Sequence, residues 1–231
     1  MIITRQDFHK LYGPGRPAIP EAHLDEIVVP ANEIPVLTAL VDYVKAKRCL
    51  EIGCNTGATS AAILAGNKTI QEYIGVDLEK IWYTEEPPGK FALADSRFQL
   101  MQLANGSKDL HPGDIEPVDF IFIDGDHSYR WVAWDSKLSR WVLSPAGGVI
   151  TWHDYGHPGN QDVQRWIHEE NDRNFIEDNS EPRIVWVEGT TICYQIFNAA
   201  QQAAQGVPLP PKRKSKNATK SKTASNLSTT D

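Results

Sequence analysis

The 231 residues carry a formal charge of −7, with 41% hydrophobic and 23% charged side chains, which is enough for one domain with a sizeable core and too little for two. No apolar run approaches the ~20 residues of a membrane-spanning helix, and MIITRQDFHK lacks the apolar segment of a secretion signal, so a cytoplasmic protein is expected. Three widely spaced cysteines (Cys49, Cys54 and Cys193) with no CxxC pair argue against a disulfide framework or a cysteine-based zinc site.

Residues 1–30, with the run GPGRPAIP, read as an irregular arm. Between Ala31 and Lys47, Ile34, Leu37, Leu40, Val41 and Val44 recur at helical spacing, and Pro35 falls in the first turn, where it is tolerated. Strand and helix signals then alternate. Arg48–Ile52 reads as a strand, Gly57–Ala65 as a helix of small residues, Tyr73–Val76 as a strand, and Pro87–Arg97 as a loop. Phe98–Leu103 and Val118–Ile123 are further strands. Tyr129–Val142 is helical, with Trp131, Trp134, Leu138 and Trp141 on one side as a core stripe or a subunit contact, the latter pointing to a homodimer. Val149–Trp152 is a strand, Gln161–Asn171 a helix, and Arg183–Val187 and Ile192–Phe197 flank Glu-Gly-Thr-Thr as a closing hairpin. The expected fold is a doubly wound α/β sheet of seven strands, mostly parallel, with an antiparallel terminal hairpin.

The main domain is expected over residues 31–205. Beyond it, residues 206–231 hold six basic side chains and one acid in a low-complexity segment, expected to be disordered. The rest of the chain is correspondingly acidic. That argues against nucleic acid as the partner of the body and leaves a weak anionic contact to the tail.

In open α/β sheets ligands bind at the carboxyl ends of the strands. The five expected parallel strands end in Glu51-Ile-Gly53-Cys-Asn55-Thr-Gly57, in Asp77, in Asn105-Gly106-Ser107, in Asp124-Gly-Asp126-His127 and in His153-Asp154. One polar ending is a turn; five together specify a pocket. Gly53 and Gly57 allow a tight turn and close backbone approach. The helix after them, with Thr59 in its first turn, offers free N–H groups to an anion. Asp77 is placed for the two hydroxyls of a ribose.

The glycine spacing is G-x-x-x-G, whereas a dinucleotide loop needs G-x-G-x-x-G. With Glu51 before it and a hairpin at the end, the chain resembles the class I S-adenosylmethionine-dependent methyltransferases over roughly Ala31 to Phe197, which implies a Rossmann-like sheet. IDGDHSY and GGVITWHDY are similar to the metal-dependent O-methyltransferases, the catechol O-methyltransferase-like enzymes and the bacterial sugar and natural-product branch. That resemblance implies S-adenosylmethionine and a divalent cation (Mg²⁺ or Mn²⁺) as cofactors. Glu51, Gly53, Asn55, Gly57 and Thr59 would hold the methionine end, Asp77 the ribose, and Asn105, Gly106 and Ser107 the adenine, with Asp124 also on the cofactor wall. Asp124, Asp154 and the candidate ligand His153 would hold the cation, and His127 would be the catalytic base. His153 departs from the carboxylate usual at its position, so orienting Asp154 or contacting the acceptor are alternative roles for it, and Asp126 could replace Asp124 as ligand.

The implied reaction is methylation of a small molecule at a hydroxyl. An alcohol is a poor nucleophile until it loses its proton, which a cation and an imidazole of pKa ~6.5 both promote. Two other classes stand beside it: an NAD- or nucleotide-sugar-binding Rossmann enzyme, and a non-catalytic S-adenosylmethionine-binding protein tethered by its basic tail.

Overall fold

A computed structural model describes residues 1–16, 29–79, 86–177 and 182–199. The basic tail and parts of the arm and of the 80–97 loop lie outside these residues.

Alternation along buried strands sorts the core into two layers. In β2 (Arg48–Ile52), Cys49 faces one side and Leu50 and Ile52 the other; in β5 (Phe120–Ile123), Phe120 and Phe122 oppose Ile121 and Ile123. Helices α2 (Ile34–Tyr43) and α3 (Ala58–Gly66) cover the first side through Leu37, Leu40 and Ile63. Helices α4 (Tyr129–Val142) and α5 (Gln161–Glu177) cover the second through Val132, Leu138, Trp166 and Ile167. Each fully buried side chain of this size contributes roughly 1.5–3 kcal/mol of transfer free energy.

The remaining strands are β1 (Ile2–Ile3), β3 (Glu72–Leu78), β4 (Phe98–Leu103), β6 (Gly147–Trp152), β7 (Val185–Val187) and β8 (Cys193–Asn198), and the sheet order is β1-β7-β8-β6-β5-β2-β3-β4. Strands β2 to β6 run parallel, while β8 lies antiparallel between β6 and β7. The doubly wound sheet and its terminal hairpin are therefore as expected, with one strand more than the seven predicted.

The extra strand corrects the reading of the arm as irregular. Ile2 and Ile3 pair parallel with Trp186 and Val187, and α1 (Arg5–Tyr12) follows. Thr4 caps α1, its Oγ1 accepting from the Asp7 N–H at 3.1 Å. Phe8 is fully buried, its ring 5.7 Å from that of Tyr194.

The reading of the tryptophan stripe as core is a second correction. Along α4 the buried positions are Val132, Asp135, Ser136, Leu138, Ser139 and Val142, whereas Trp131, Trp134 and Trp141 are half-buried. Small residues let the helix sit close to the sheet. Trp152, fully buried in β6, donates its indole N–H to Ser136 Oγ at 2.9 Å.

Register places the strand ends in one row. Ile52 pairs with both Val76 and Ile123, and Ile123 pairs with Trp152. The next residue of each strand (Gly53, Asp77, Asp124 and His153) therefore lies at one level of the carboxyl edge.

Candidate active site

A cavity of about 1090 Å³ opens at this edge. Glu51, Gly53, Asn55, Thr59, Asp77, Asn105, Gly106, Ser107, Asp124, His127, His153 and Asp154 all line it, so the predicted residues are brought together with one exception. Gly57 is not on the wall. It turns the chain into α3 at φ +80°, against the backbone of Gly89.

Gly53 has φ +85°, and a Cβ there would stand 2.2 Å from the backbone oxygen of Asp124. Only glycine allows β2 and β5 to end this close together. Asp77 accepts from the Asn55 N–H at 2.6 Å and the Leu78 N–H at 2.7 Å, one bond to each oxygen. Burial nevertheless raises its pKa. Each oxygen retains a lone pair for a further donor.

Glu51 is buried beneath α3 and accepts from Ser60 Oγ and, at 2.8 Å, from Tyr73 Oη. Burial outweighs these bonds and lifts its pKa to about 8, so near neutrality it waits largely protonated for a cationic partner. Across the cavity Asp135, buried on α4, accepts from Ser107 Oγ at 2.5 Å, and burial raises its pKa to about 7.

The ionisable cluster sits beside these groups. One donor atom each from Asp124, His127 and Asp154 lies within 4.8 Å of the others. His127 Nε2 is 2.8 Å from Asp154 Oδ2 and 3.7 Å from Asp124 Oδ1. This nitrogen is buried, yet it is aligned in a hydrogen bond with neither oxygen. Donors that close, aimed past one another, suit a shared cation, since bonds of ~2.1 Å at right angles set neighbouring ligand atoms ~3 Å apart. Two carboxylates and an imidazole fit Mg²⁺ or, better, Mn²⁺. Asp154 holds φ +61°, and Asn160 Nδ2 donates to its Oδ2 at 2.8 Å.

His153 is placed differently from a ligand. Its Nδ1 is 2.8 Å from Asp124 Oδ1 and its Nε2 3.0 Å from Glu33 Oε2, so both ring nitrogens are engaged. Burial opposes a charge there, but Asp124 and Glu33 outweigh it and raise the pKa to about 11. With a carboxylate at each nitrogen, the ring steadies Asp124 and has no nitrogen left facing a metal. His127 takes the third place in the cluster.

Glu33 escaped the sequence reading, as did Ser60, Tyr73 and Thr191, which lie on other elements. Asp135 carried a signal. Val132, Asp135, Ser136 and Ser139 keep the i, i+3, i+4, i+7 spacing of a helix face, and an acid within such a face asks for a partner or a ligand.

The carboxylates beside His127, Asp124 foremost and then Asp154, outweigh its burial and raise its pKa to about 9. Asp154→Asn is expected to bring the His127 titration, followed by NMR, down toward ~6.5. The folded value lies above the unfolded one, so the stability linked to it is complete below pH ~6.5 and lost as pH rises through 9.

Residues 50–155 match a protein family described as a methyltransferase domain. No curated protein sequence matches the chain. Among solved structures, the chain is similar to a putative O-methyltransferase from Klebsiella pneumoniae (TM-score 0.55, 19% identity, 84% of this chain and 94% of that one). It is similar to an O-methyltransferase from Bacillus cereus in complex with SAH (0.53, 19%, 83% and 96%). A third is an O-methyltransferase from Streptomyces achromogenes involved in tomaymycin synthesis, in complex with SAM (0.54, 17%, 79% and 88%). At these identities the neighbours speak for the fold. Residues 50–155 thus match a methyltransferase-domain family, and the chain shares the fold of these O-methyltransferase structures, with the antiparallel closing pair expected from the sequence.

Proposed function

We propose that this protein transfers a methyl group from S-adenosylmethionine to a hydroxyl of a small molecule, a sugar, natural product or phenol, with a divalent cation at Asp124 and Asp154 and with His127 beside it as the base. The observation that carries the reading is the convergence of these three side chains on the wall of the cavity that also holds Gly53, Asn55 and Asp77. Oxygen as the acceptor atom draws support from fold neighbours whose described activity is O-methylation.

Each residue then has a task. Asp77 offers two oxygens, already steadied by backbone N–H groups, to a ribose. Glu51, its pKa near 8, ionises against the ammonium of the methionine end. Gly53 lets the cofactor lie against bare backbone, Asn55 and Thr59 border the same end, and Asn105 to Ser107 border the adenine. A bound divalent cation would supply Lewis acidity, holding the acceptor oxygen and lowering its pKa. His127 receives the hydroxyl proton. Its raised pKa comes from two carboxylates, and neutralising them returns it toward the range of a base active near pH 7.

Calorimetry with S-adenosylmethionine and NAD, followed by methyl-transfer assays on a panel of sugars and phenols with Mn²⁺ or EDTA, tests the reading. Binding of S-adenosylmethionine alone and transfer abolished by EDTA are expected. Preference for NAD, or transfer undiminished by EDTA, would refute it.

A further inference from the structure

Glu33 occupies the cap position of α2, but its side chain makes no capping hydrogen bond to that helix. It is 1% exposed. A buried carboxylate is costly unless every oxygen is paired. Its partners all belong to distant segments: the Thr191 N–H, Thr191 Oγ1 at 3.3 Å, and His153 Nε2 at 3.0 Å. Thr191 stands in the turn joining β7 to β8, and His153 follows β6. The chain has thus placed a carboxylate where local helix geometry does not need it.

What it reaches is one atom row from the cation cluster. The His153 ring is pinned at both nitrogens, and its far side holds Asp124 Oδ1 at 2.8 Å. Its edge rests on Phe122, the ring centroids 5.9 Å apart. Glu33 thus holds the ring that holds Asp124 Oδ1. A ligand's affinity depends on such outer partners, and their loss typically costs 10–100-fold in metal binding.

We infer that Glu33 is a positioning residue of the cation site, acting through His153 to fix the Asp124 carboxylate in the orientation that binds a divalent metal. The inference rests on the metal reading above and adds a residue 91 positions away from the ligand it serves. Glu33 is buried and does not line the cavity, so its effect belongs to metal binding rather than to S-adenosylmethionine.

The test uses the full chain. Mn²⁺ affinity is measured by the electron paramagnetic resonance of the free ion, and S-adenosylmethionine affinity by calorimetry, for the parent, Glu33→Asp and Glu33→Ala. Glu33→Asp keeps the charge but shortens the reach by one methylene, so it cannot span Thr191 and His153 together. Expected is a loss of Mn²⁺ affinity of about 10-fold in Glu33→Asp and up to ~100-fold in Glu33→Ala, with S-adenosylmethionine affinity within twofold of the parent. A folded variant that binds Mn²⁺ within twofold of the parent overturns the inference. So does a parallel loss of both ligands, or failure of both variants to fold, since each marks a purely architectural role. A parent that does not bind Mn²⁺ refutes the metal reading itself, and the inference with it.

Discussion

Replacing Gly53 by alanine is expected to abolish S-adenosylmethionine binding and to destabilise the fold by ~3 kcal/mol or more, the sum of a strained backbone and an overpacked contact. Two independent observations lead there. The residue holds φ +85°, and the added Cβ would meet the Asp124 carbonyl oxygen at 2.2 Å, its carbon at 2.6 Å and the Gly125 Cα at 2.6 Å. These are backbone atoms, so no rotamer change relieves the clash, and β2 and β5 would have to part at the level where Asp124 is held. The Gly53 N–H, which donates to the Val76 carbonyl at 2.8 Å, would be dragged with them. Gly113→Ala is the matched control: its Cβ meets nothing within 4 Å. Thermal unfolding and calorimetry on both variants decide the matter. A Gly53→Ala protein with parental melting temperature and cofactor affinity would mean that the glycine loop is not built as described.

The carboxyl edge was legible in the sequence for a physical reason. Parallel strands buried on both faces are continuous apolar runs, so the first polar residue after each run marks where the strand leaves the core. Gly53, Asp77, Asp124 and His153 could be named this way because each sits one step beyond its run, and register then aligned them. What could not be read was which distant residue meets which. Glu33 and His153 are separated by 120 positions, and Glu33 and Thr191 by 158. Nothing within either segment encodes the partner, so His153 carried the features of a ligand until its second nitrogen was accounted for.

Two further misreadings share a cause. Of the two roles read for the α4 tryptophans, core is the one that fails: they flank the packed face, and serines let the helix approach the sheet. Conversely, two residues are too few to register as a strand, so β1 escaped notice. The Thr4 to Asp7 spacing, a capped helix start, was the signal available in the arm.

Asp124→Asn should lower methyl transfer by 10²–10³-fold, equivalent to ~2.7–4 kcal/mol of lost transition-state stabilisation, while S-adenosylmethionine affinity stays within a few-fold. The substitution is close in shape and keeps an oxygen for the His153 Nδ1 that lies at 2.8 Å, so the ring and Glu33 behind it are preserved. It exchanges the other oxygen for an NH₂ group, which repels a cation and cannot share a proton with an acceptor. The cluster would then offer one carboxylate and one imidazole where it now offers two carboxylates and an imidazole. Cofactor binding should hold because Gly53, Asn55 and Asp77 form their part of the wall through backbone and a separate carboxylate. The measurement is kcat and the KM for each substrate across a Mn²⁺ titration. Parental turnover in Asp124→Asn would remove the cation from the mechanism and leave His127 to act alone. A large fall that high Mn²⁺ partly restores would instead assign Asp124 to metal binding rather than to direct proton transfer, because a proton-transfer defect does not respond to the concentration of an ion.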